Sequence, residues 1–129
     1  MKKLFLALIL LSVTLASCSK VPTSYSDFDD LHLETWDEVD KHLTDGLFIV
    51  YYYSPHCPDC ISIEVDFSKK IYNHNDQYTV YLMKSMDVSS QGTPPIDLRG
   101  VPALFIYEDK IFQEMILGPS NVMNFMNGL

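Results

Sequence analysis

Two cysteines stand close together in this sequence, Cys57 and Cys60, separated by Pro58 and Asp59. A cysteine attacks a disulfide only as a thiolate, so a reactive thiol needs surroundings that favour the anion. A disulfide that closes so short a loop constrains little of the unfolded chain, so stabilisation of the fold is a weak reason for this pair. The spacing therefore indicates thiol–disulfide exchange, in which one sulfur attacks and the other resolves the mixed disulfide.

The residues on either side of the cysteines predict a strand that leads into a helix. Leu47–Tyr53 is a continuous apolar and aromatic run, which is typical of a central strand buried on both faces. Pro58 suits the first position of a helix over 57–74, because its missing N–H would be unpaired there. Cys57 would then lie at the helix N-terminus, where free N–H groups and the helix dipole favour an anion. We expect Cys57 to be the nucleophile and Cys60 the resolving thiol.

His56 and Asp59 flank the cysteines and should act on the thiolate in opposite directions. A protonated His56 would stabilise the thiolate, whereas the carboxylate of Asp59 would disfavour it. A stabilised thiolate makes a more oxidising couple, so the balance between the two residues affects the redox direction. The sequence leaves that direction open, with reduction slightly favoured.

The rest of the chain predicts an α/β domain. The predicted elements are a short strand at 31–33, a helix after Thr35, strands near 78–86, 101–107 and 111–117, and a helix after Pro119. This order combines parallel and antiparallel connections, so we expect a central mixed sheet flanked by helices on both faces. In the helix after Cys57, the side chains expected to face the core are Ile61, Val65, Ile71 and Tyr72.

This strand–CxxC–helix unit, followed by the segment Arg99–Phe105 (RGVPALF), resembles the thioredoxin superfamily over about residues 31–129. In that family the proline before the next strand is cis and faces the CxxC, and the residue before it offers backbone hydrogen bonds to the bound substrate. Pro102 and Val101 occupy those two positions. The resemblance implies a thioredoxin-like fold and thiol–disulfide oxidoreductase activity, with no bound cofactor because the dithiol is the redox group.

The sequence also departs from thioredoxin itself, which has Trp-Cys-Gly-Pro-Cys where this chain has His56–Cys60. Tyr51 stands where thioredoxin carries a buried aspartate that assists proton transfer from the resolving thiol. Lys84 is one residue out of register with thioredoxin's buried lysine, which would turn it to the opposite face of its strand. The Cys-Pro-Asp-Cys form is closer to small exported thioredoxin-like proteins of Gram-positive bacteria and their relatives.

The N-terminus resembles a bacterial lipoprotein signal peptide. Met1–Lys3 is positive, and the apolar run 4–15 is shorter than the about 20 residues that a spanning helix needs. Leu15–Cys18 resembles a lipobox, which implies that Cys18 is acylated and becomes the first residue of the mature protein. The expected organisation is a signal peptide at 1–17, a lipidated tether at 18–30 and a thioredoxin-like domain at 31–129. The domain would then be lipid-anchored on the extracytoplasmic face of the cell membrane.

The charge of the chain restricts its partners. A formal net charge of −8 is unfavourable for binding nucleic acid, which needs basic patches. It is also repelled by anionic lipid, so attachment to the bilayer would depend on the acyl chains on Cys18. We expect the partners to be exported protein thiols or disulfides and a membrane electron donor.

Two other functions are compatible with the sequence. His56, Cys57 and Cys60 could ligate copper or zinc, although a closed zinc site usually has four strong ligands and no second CxxC occurs. The domain could also be a non-catalytic binding module that uses the groove of the fold while its cysteines stay idle.

Overall fold

A five-stranded mixed sheet forms the centre of the domain in the computed structural model, which describes residues 19–74, 76–86 and 90–129. The elements in chain order are a 3-10 helix (Tyr25–Leu31), β1 (His32–Leu33), α1 (Trp36–His42), β2 (Leu47–Tyr53), α2 (Pro58–Asn73), β3 (Thr79–Lys84), β4 (Ala103–Glu108), β5 (Ile111–Leu117) and α3 (Pro119–Gly128). The strand order is β1-β3-β2-β4-β5. Strand β3 pairs in parallel with β1 and with β2, and β4 pairs antiparallel with β2 and with β5. The predicted mixed α/β architecture is confirmed.

The central strand β2 supplies side chains to both faces of the sheet. Tyr51 and Tyr53 lie in an apolar cluster with side chains of α2, α3 and the 3-10 helix. Val50 and Tyr52 lie in a second cluster with side chains of α1. Successive side chains of a strand point to opposite faces, so a strand covered on both sides needs a continuous apolar sequence. Helices therefore cover both faces, as the sequence predicts.

The buried face of α2 differs from the predicted one. The buried side chains are Cys60, Ile63, Phe67, Ser68 and Ile71. Three of the four residues expected in the core are largely exposed: Ile61 at 53%, Val65 at 45% and Tyr72 at 45%. The core-facing stripe starts at Cys60 and continues at intervals of three and four residues, so Ile61 and Val65 lie about 100–140° further around the helix. The prediction was wrong for these three residues and correct for Ile71.

The folded domain begins earlier than predicted. Tyr25 and Phe28 in the 3-10 helix are only 3% and 7% exposed. Ser24 caps this helix, and the side chain of Asp27 accepts a hydrogen bond in return from the backbone N–H of Ser24. Two aromatic side chains three residues apart bury enough apolar surface to hold the segment on the domain. The second half of the predicted tether 18–30 is therefore part of the domain.

The predicted signal peptide at 1–17 and the acylation site Cys18 lie outside the described residues. Within the described part of the chain, none of the helices has the length and the apolar character needed to cross a membrane.

Candidate active site

Cys57 caps the N-terminus of α2, at the junction with β2. Its backbone is extended (φ −86°, ψ 120°), and its sulfur accepts a hydrogen bond from the Cys60 N–H at 3.5 Å. Pro58 occupies the first helical position, as predicted. The helix therefore directs a backbone donor at the Cys57 sulfur, an arrangement used by thiolate nucleophiles.

The two thiols differ sharply in their surroundings. Cys57 is partly exposed and Cys60 is fully buried, and both are free thiols. Burial raises the pKa of the Cys60 thiol from 9.0 to about 12, because the protein interior solvates its anion poorly. Cys57 is thus accessible to a partner, whereas Cys60 reaches only groups inside the domain. The roles of nucleophile and resolving thiol stay predictions that rest on this difference.

The loop before β4 lies against Cys57. The Val101–Pro102 peptide bond is cis, and the Cys57 thiol donates a hydrogen bond to the Val101 carbonyl at 3.7 Å. Strand β4 pairs antiparallel with β2, with Ala103 opposite Tyr52, so the start of β4 meets the end of β2 where the cysteines follow. The structure therefore brings Val101 and Pro102 to the dithiol, as the resemblance implies.

His56 and Asp59 are exposed on either side of Cys57. The backbone N–H of His56 donates to Ser54 Oγ at 3.3 Å, and the Asp59 carbonyl accepts from Ser62 Oγ at 2.7 Å. Solvent and salt screen the charges of exposed side chains. Their tuning of the thiolate stays a prediction.

Two buried tyrosine hydroxyls lie beside Cys60, an arrangement that the sequence analysis missed. The Tyr25 hydroxyl donates to the Cys60 carbonyl at 2.8 Å and lies 2.8 Å from the Tyr51 hydroxyl. The Tyr51 hydroxyl favours the anion of the nearby Cys60 side chain and so lowers the pKa of that thiol, against the larger effect of burial. Burial raises the pKa of both Tyr25 and Tyr51, so both remain protonated.

The sequence around Tyr25 carries a helix signal, although the segment is predicted to be a tether. Ser24 followed three residues later by Asp27 is a capping-box pattern, and Tyr25 and Phe28 have helical spacing. Glu64 of α2 completes the attachment, since its Oε1 accepts from Ser24 Oγ at 2.7 Å and from the Tyr25 N–H at 2.9 Å.

A cavity of about 320 Å³ lies beside the CxxC. Its lining residues are Ser24, Tyr25, Ser26, Tyr53, Ser54, Pro55, Ile61, Glu64 and Lys84. Lys84 is exposed at the end of β3 and pairs with Tyr53, so it lies on the face of the sheet that carries Tyr51 and Tyr53. The 3-10 helix thus forms one wall of a recess next to the dithiol.

The ligand set considered for a metal does not come together. In the described ranges, there is no group of three or more His, Cys, Asp and Glu side chains placed to hold a metal ion. His56 is exposed while the sulfur of Cys60 is buried, so the two point into different environments.

Thioredoxins and a peroxiredoxin-related structure share this fold. A chain from the structures describing how yeast mitochondrial 1-Cys peroxiredoxin is resolved through the glutathione and thioredoxin systems is 14% identical, with a TM-score of 0.60 over 82% of this chain and 99% of that chain. Mitochondrial thioredoxin 3 from Saccharomyces cerevisiae is 19% identical, with a TM-score of 0.56 over 76% and 93% of the two chains. Thioredoxin f2 from Chlamydomonas reinhardtii is 15% identical, with a TM-score of 0.56 over 76% and 94%.

No protein-family model and no curated protein matches the sequence. The sheet order, the flanking helices and the structural neighbours together define a thioredoxin-like α/β fold.

Proposed function

We propose that this protein is a thiol–disulfide oxidoreductase that acts through Cys57 and Cys60 on exported proteins or small thiols. The observation that carries the proposal is the partly exposed Cys57 sulfur at the N-terminus of α2, with the buried Cys60 one turn along the same helix. The thioredoxin-like fold supports a redox function in general.

The reaction in the reducing direction has two displacements. The Cys57 thiolate attacks one sulfur of the partner disulfide, and the other partner sulfur leaves with the electron pair of the broken bond. Cys60 then attacks the Cys57 sulfur, so the mixed disulfide breaks and a Cys57–Cys60 disulfide forms. Two electrons pass from the dithiol to the partner, and no cofactor takes part. The backbone of Val101 lies beside Cys57 and is where an extended partner chain would form hydrogen bonds.

Reduction is the favoured direction. A reductase outside the cytoplasm needs electrons from a membrane partner. That partner would reach Cys57 from the side on which the substrate binds. A reduction potential near or below the cytosolic glutathione poise would support a reductase, and a much higher value would support an oxidase.

Exchange of single cysteines tests the activity. We expect Cys57→Ser to abolish the reduction of a model protein disulfide such as that of insulin, because the accessible nucleophile is lost. Cys60→Ser should slow turnover by about 100-fold or more while mixed disulfides accumulate on Cys57. Non-reducing gels of both variants provide the measurement. The proposal fails if both variants retain the wild-type rate. It also fails if both variants still bind a partner and neither forms a mixed disulfide with it, because the domain is then a binding module.

We also propose that Cys18 is acylated and holds the domain on the extracytoplasmic face of the membrane. The domain starts at Ser24, so the remaining tether would span at most about 20 Å and keep the dithiol close to the bilayer. Fatty-acid labelling and cell fractionation should show that Cys18→Ala loses both label and membrane attachment. A Cys18→Ala protein that stays in the membrane fraction would contradict the anchor.

A further inference from the structure

The hydroxyls of Tyr25 and Tyr51 can form only a few hydrogen-bond patterns around Cys60. Each hydroxyl has one proton to donate. Tyr25 donates its proton to the Cys60 carbonyl, which only accepts, so the proton between the two hydroxyls comes from Tyr51. While Cys60 is a thiol, the Tyr51 proton is therefore shared with the Tyr25 oxygen.

A different pattern becomes available when Cys60 ionises. An anionic sulfur only accepts, so the Tyr51 O–H can turn from the Tyr25 oxygen to the sulfur. Tyr25 keeps its bond to the Cys60 carbonyl and needs no new partner. Hydrogen bonds to charged groups are stronger than those between neutral groups, and a buried anion without one is costly.

We propose that Tyr51 donates a hydrogen bond to the Cys60 sulfur as it ionises to attack the mixed disulfide, and that Tyr25 is a positioning residue that holds the Tyr51 hydroxyl in place. This inference rests on the proposed function. Tyr51 stacks on Phe67 with ring centroids 4.0 Å apart, so its ring is fixed and only its hydroxyl proton has to turn.

Tyr51 acts here as a donor and not as a base. In the resolving step, Cys60 loses its proton and forms a bond to the Cys57 sulfur, and the bond between Cys57 and the partner sulfur breaks. The partner leaves with that electron pair and takes up, through solvent, the proton that Cys60 gives up. A protonated phenol assists this step by stabilising negative charge on the attacking sulfur, whereas a carboxylate at the same position would accept the proton.

The two displacements can be timed in one experiment with dithiobis(nitrobenzoate), an aromatic disulfide that releases a coloured thiolate. With one equivalent of reagent and Cys18→Ala as the background, Cys57 releases the first thiolate and Cys60 the second. We expect Tyr51→Phe to leave the first release unchanged and to slow the second by about 10-fold or more, because a hydrogen bond to a charged sulfur is lost. The second release is counted only in molecules that completed the first, so misfolded protein does not affect the ratio.

Tyr53→Phe is the matched control. Tyr53 lies on the same face of β2, its ring stacks on that of Tyr51 at 5.6 Å, and its hydroxyl bonds His32 Nε2 at 2.8 Å. The Tyr53→Phe variant loses one buried hydroxyl without affecting the bonds to Cys60, so the ratio of the second release rate to the first should match wild type. Tyr25→Phe should slow the second step less than Tyr51→Phe, because Tyr25 bonds the Cys60 carbonyl and not its sulfur.

The pH profile separates this role from packing. The titratable groups that interact with Cys60 are Cys57, Tyr25, Tyr51 and Tyr53, and Glu64 interacts with Tyr25 and Tyr53. The second release speeds up with pH until Cys60 is ionised and then levels off. Tyr51→Phe should move the pH of that plateau upward, whereas lost packing alone would lower the rate and leave the pH of the plateau unchanged. The inference is overturned if Tyr51→Phe leaves the rate or the pH profile of the second release unchanged, or if Tyr53→Phe slows that release equally. These outcomes leave the proposed function standing. Absence of the first release in wild type would overturn the proposed function as well.

Discussion

The protonation of buried side chains makes the domain sensitive to alkaline pH. The pKa of the Cys60 thiol is raised to about 12 from 9.0, and that of Tyr53 to about 12 from 10.0, in both cases mainly by burial. Burial also raises the pKa values of Tyr25, Tyr51 and Tyr107. Between the unfolded and folded values, the folded protein holds protons that the unfolded chain releases, so stability falls as pH rises.

We therefore predict that the free energy of unfolding of the reduced protein is steady up to about pH 9 and declines from there towards pH 12. Urea unfolding at a series of pH values measures this. Cys60→Ser is the control: it should remove the early part of the decline and leave the part above about pH 10 that comes from the tyrosines. A free energy that stays constant or rises up to pH 11 would contradict the assignment of these groups as buried and neutral.

The residues of the site differ in how far the sequence could predict them. Cys57 and Cys60 are neighbours along the chain, and Val101 and Pro102 follow from a family pattern, so their proximity was predictable. The contact of Tyr25 with Cys60 joins residues far apart in sequence, and the local sequence around a tyrosine does not determine which distant group its hydroxyl bonds. The buried Gln91, which bonds the Tyr52 hydroxyl at 2.9 Å, was missed for the same reason.

At the scale of elements, the loop before β4 is held by the start of α3. The Gly118 N–H donates to the Pro102 carbonyl at 3.0 Å, and the Gly118 carbonyl accepts from the Val122 N–H at 3.0 Å inside α3. Gly118 has φ +87° and ψ 152°, a conformation that is essentially restricted to glycine. A single glycine therefore joins the last helix to the loop that faces Cys57.

We predict that Gly118→Ala lowers the free energy of unfolding by about 1–3 kcal/mol, because alanine is strained at this backbone conformation. A Cβ at this position meets no atom within 4 Å, so the loss comes from the backbone and not from a clash. Gly128→Ala is the matched control: its Cβ also meets nothing within 4 Å and its φ is ordinary, so we expect no loss. Urea unfolding of both variants tests this, and equal stabilities would show that the Gly118 conformation carries no cost.

The sequence predicted most elements well and the faces of some of them poorly. Strands β2 and β5 occur at the predicted residues because their apolar patterns and bounding turns are local signals. In α2, apolar residues occur all around the helix, so periodicity alone could not tell the stripe with Ile63 and Phe67 from the one with Ile61 and Val65. The choice depends on how the helix rests on the sheet.

At the scale of the whole molecule, the fold places one partly exposed and one buried cysteine at the edge of an acidic domain. The parallel strands β2 and β3 end on the same side of the sheet, where α2 begins and the loop before β4 arrives. The start of the domain at Ser24 adds a wall beside this edge that the predicted boundary left out. The overall fold was predictable because strand order and connection rules allow few arrangements, whereas the boundary depended on two aromatic side chains packing on distant residues.

The most direct test of the central claim compares the two sulfurs in the folded protein. Iodoacetamide alkylation at neutral pH is followed by mass spectrometry on Cys57→Ser and Cys60→Ser, both in the Cys18→Ala background, so that one thiol remains in each. Our account predicts that Cys57 is alkylated at least about 10-fold faster than Cys60, and that mild denaturation removes the difference. Equal native rates, or a faster Cys60, would contradict the assignment of Cys57 as the accessible nucleophile and Cys60 as the buried resolving thiol.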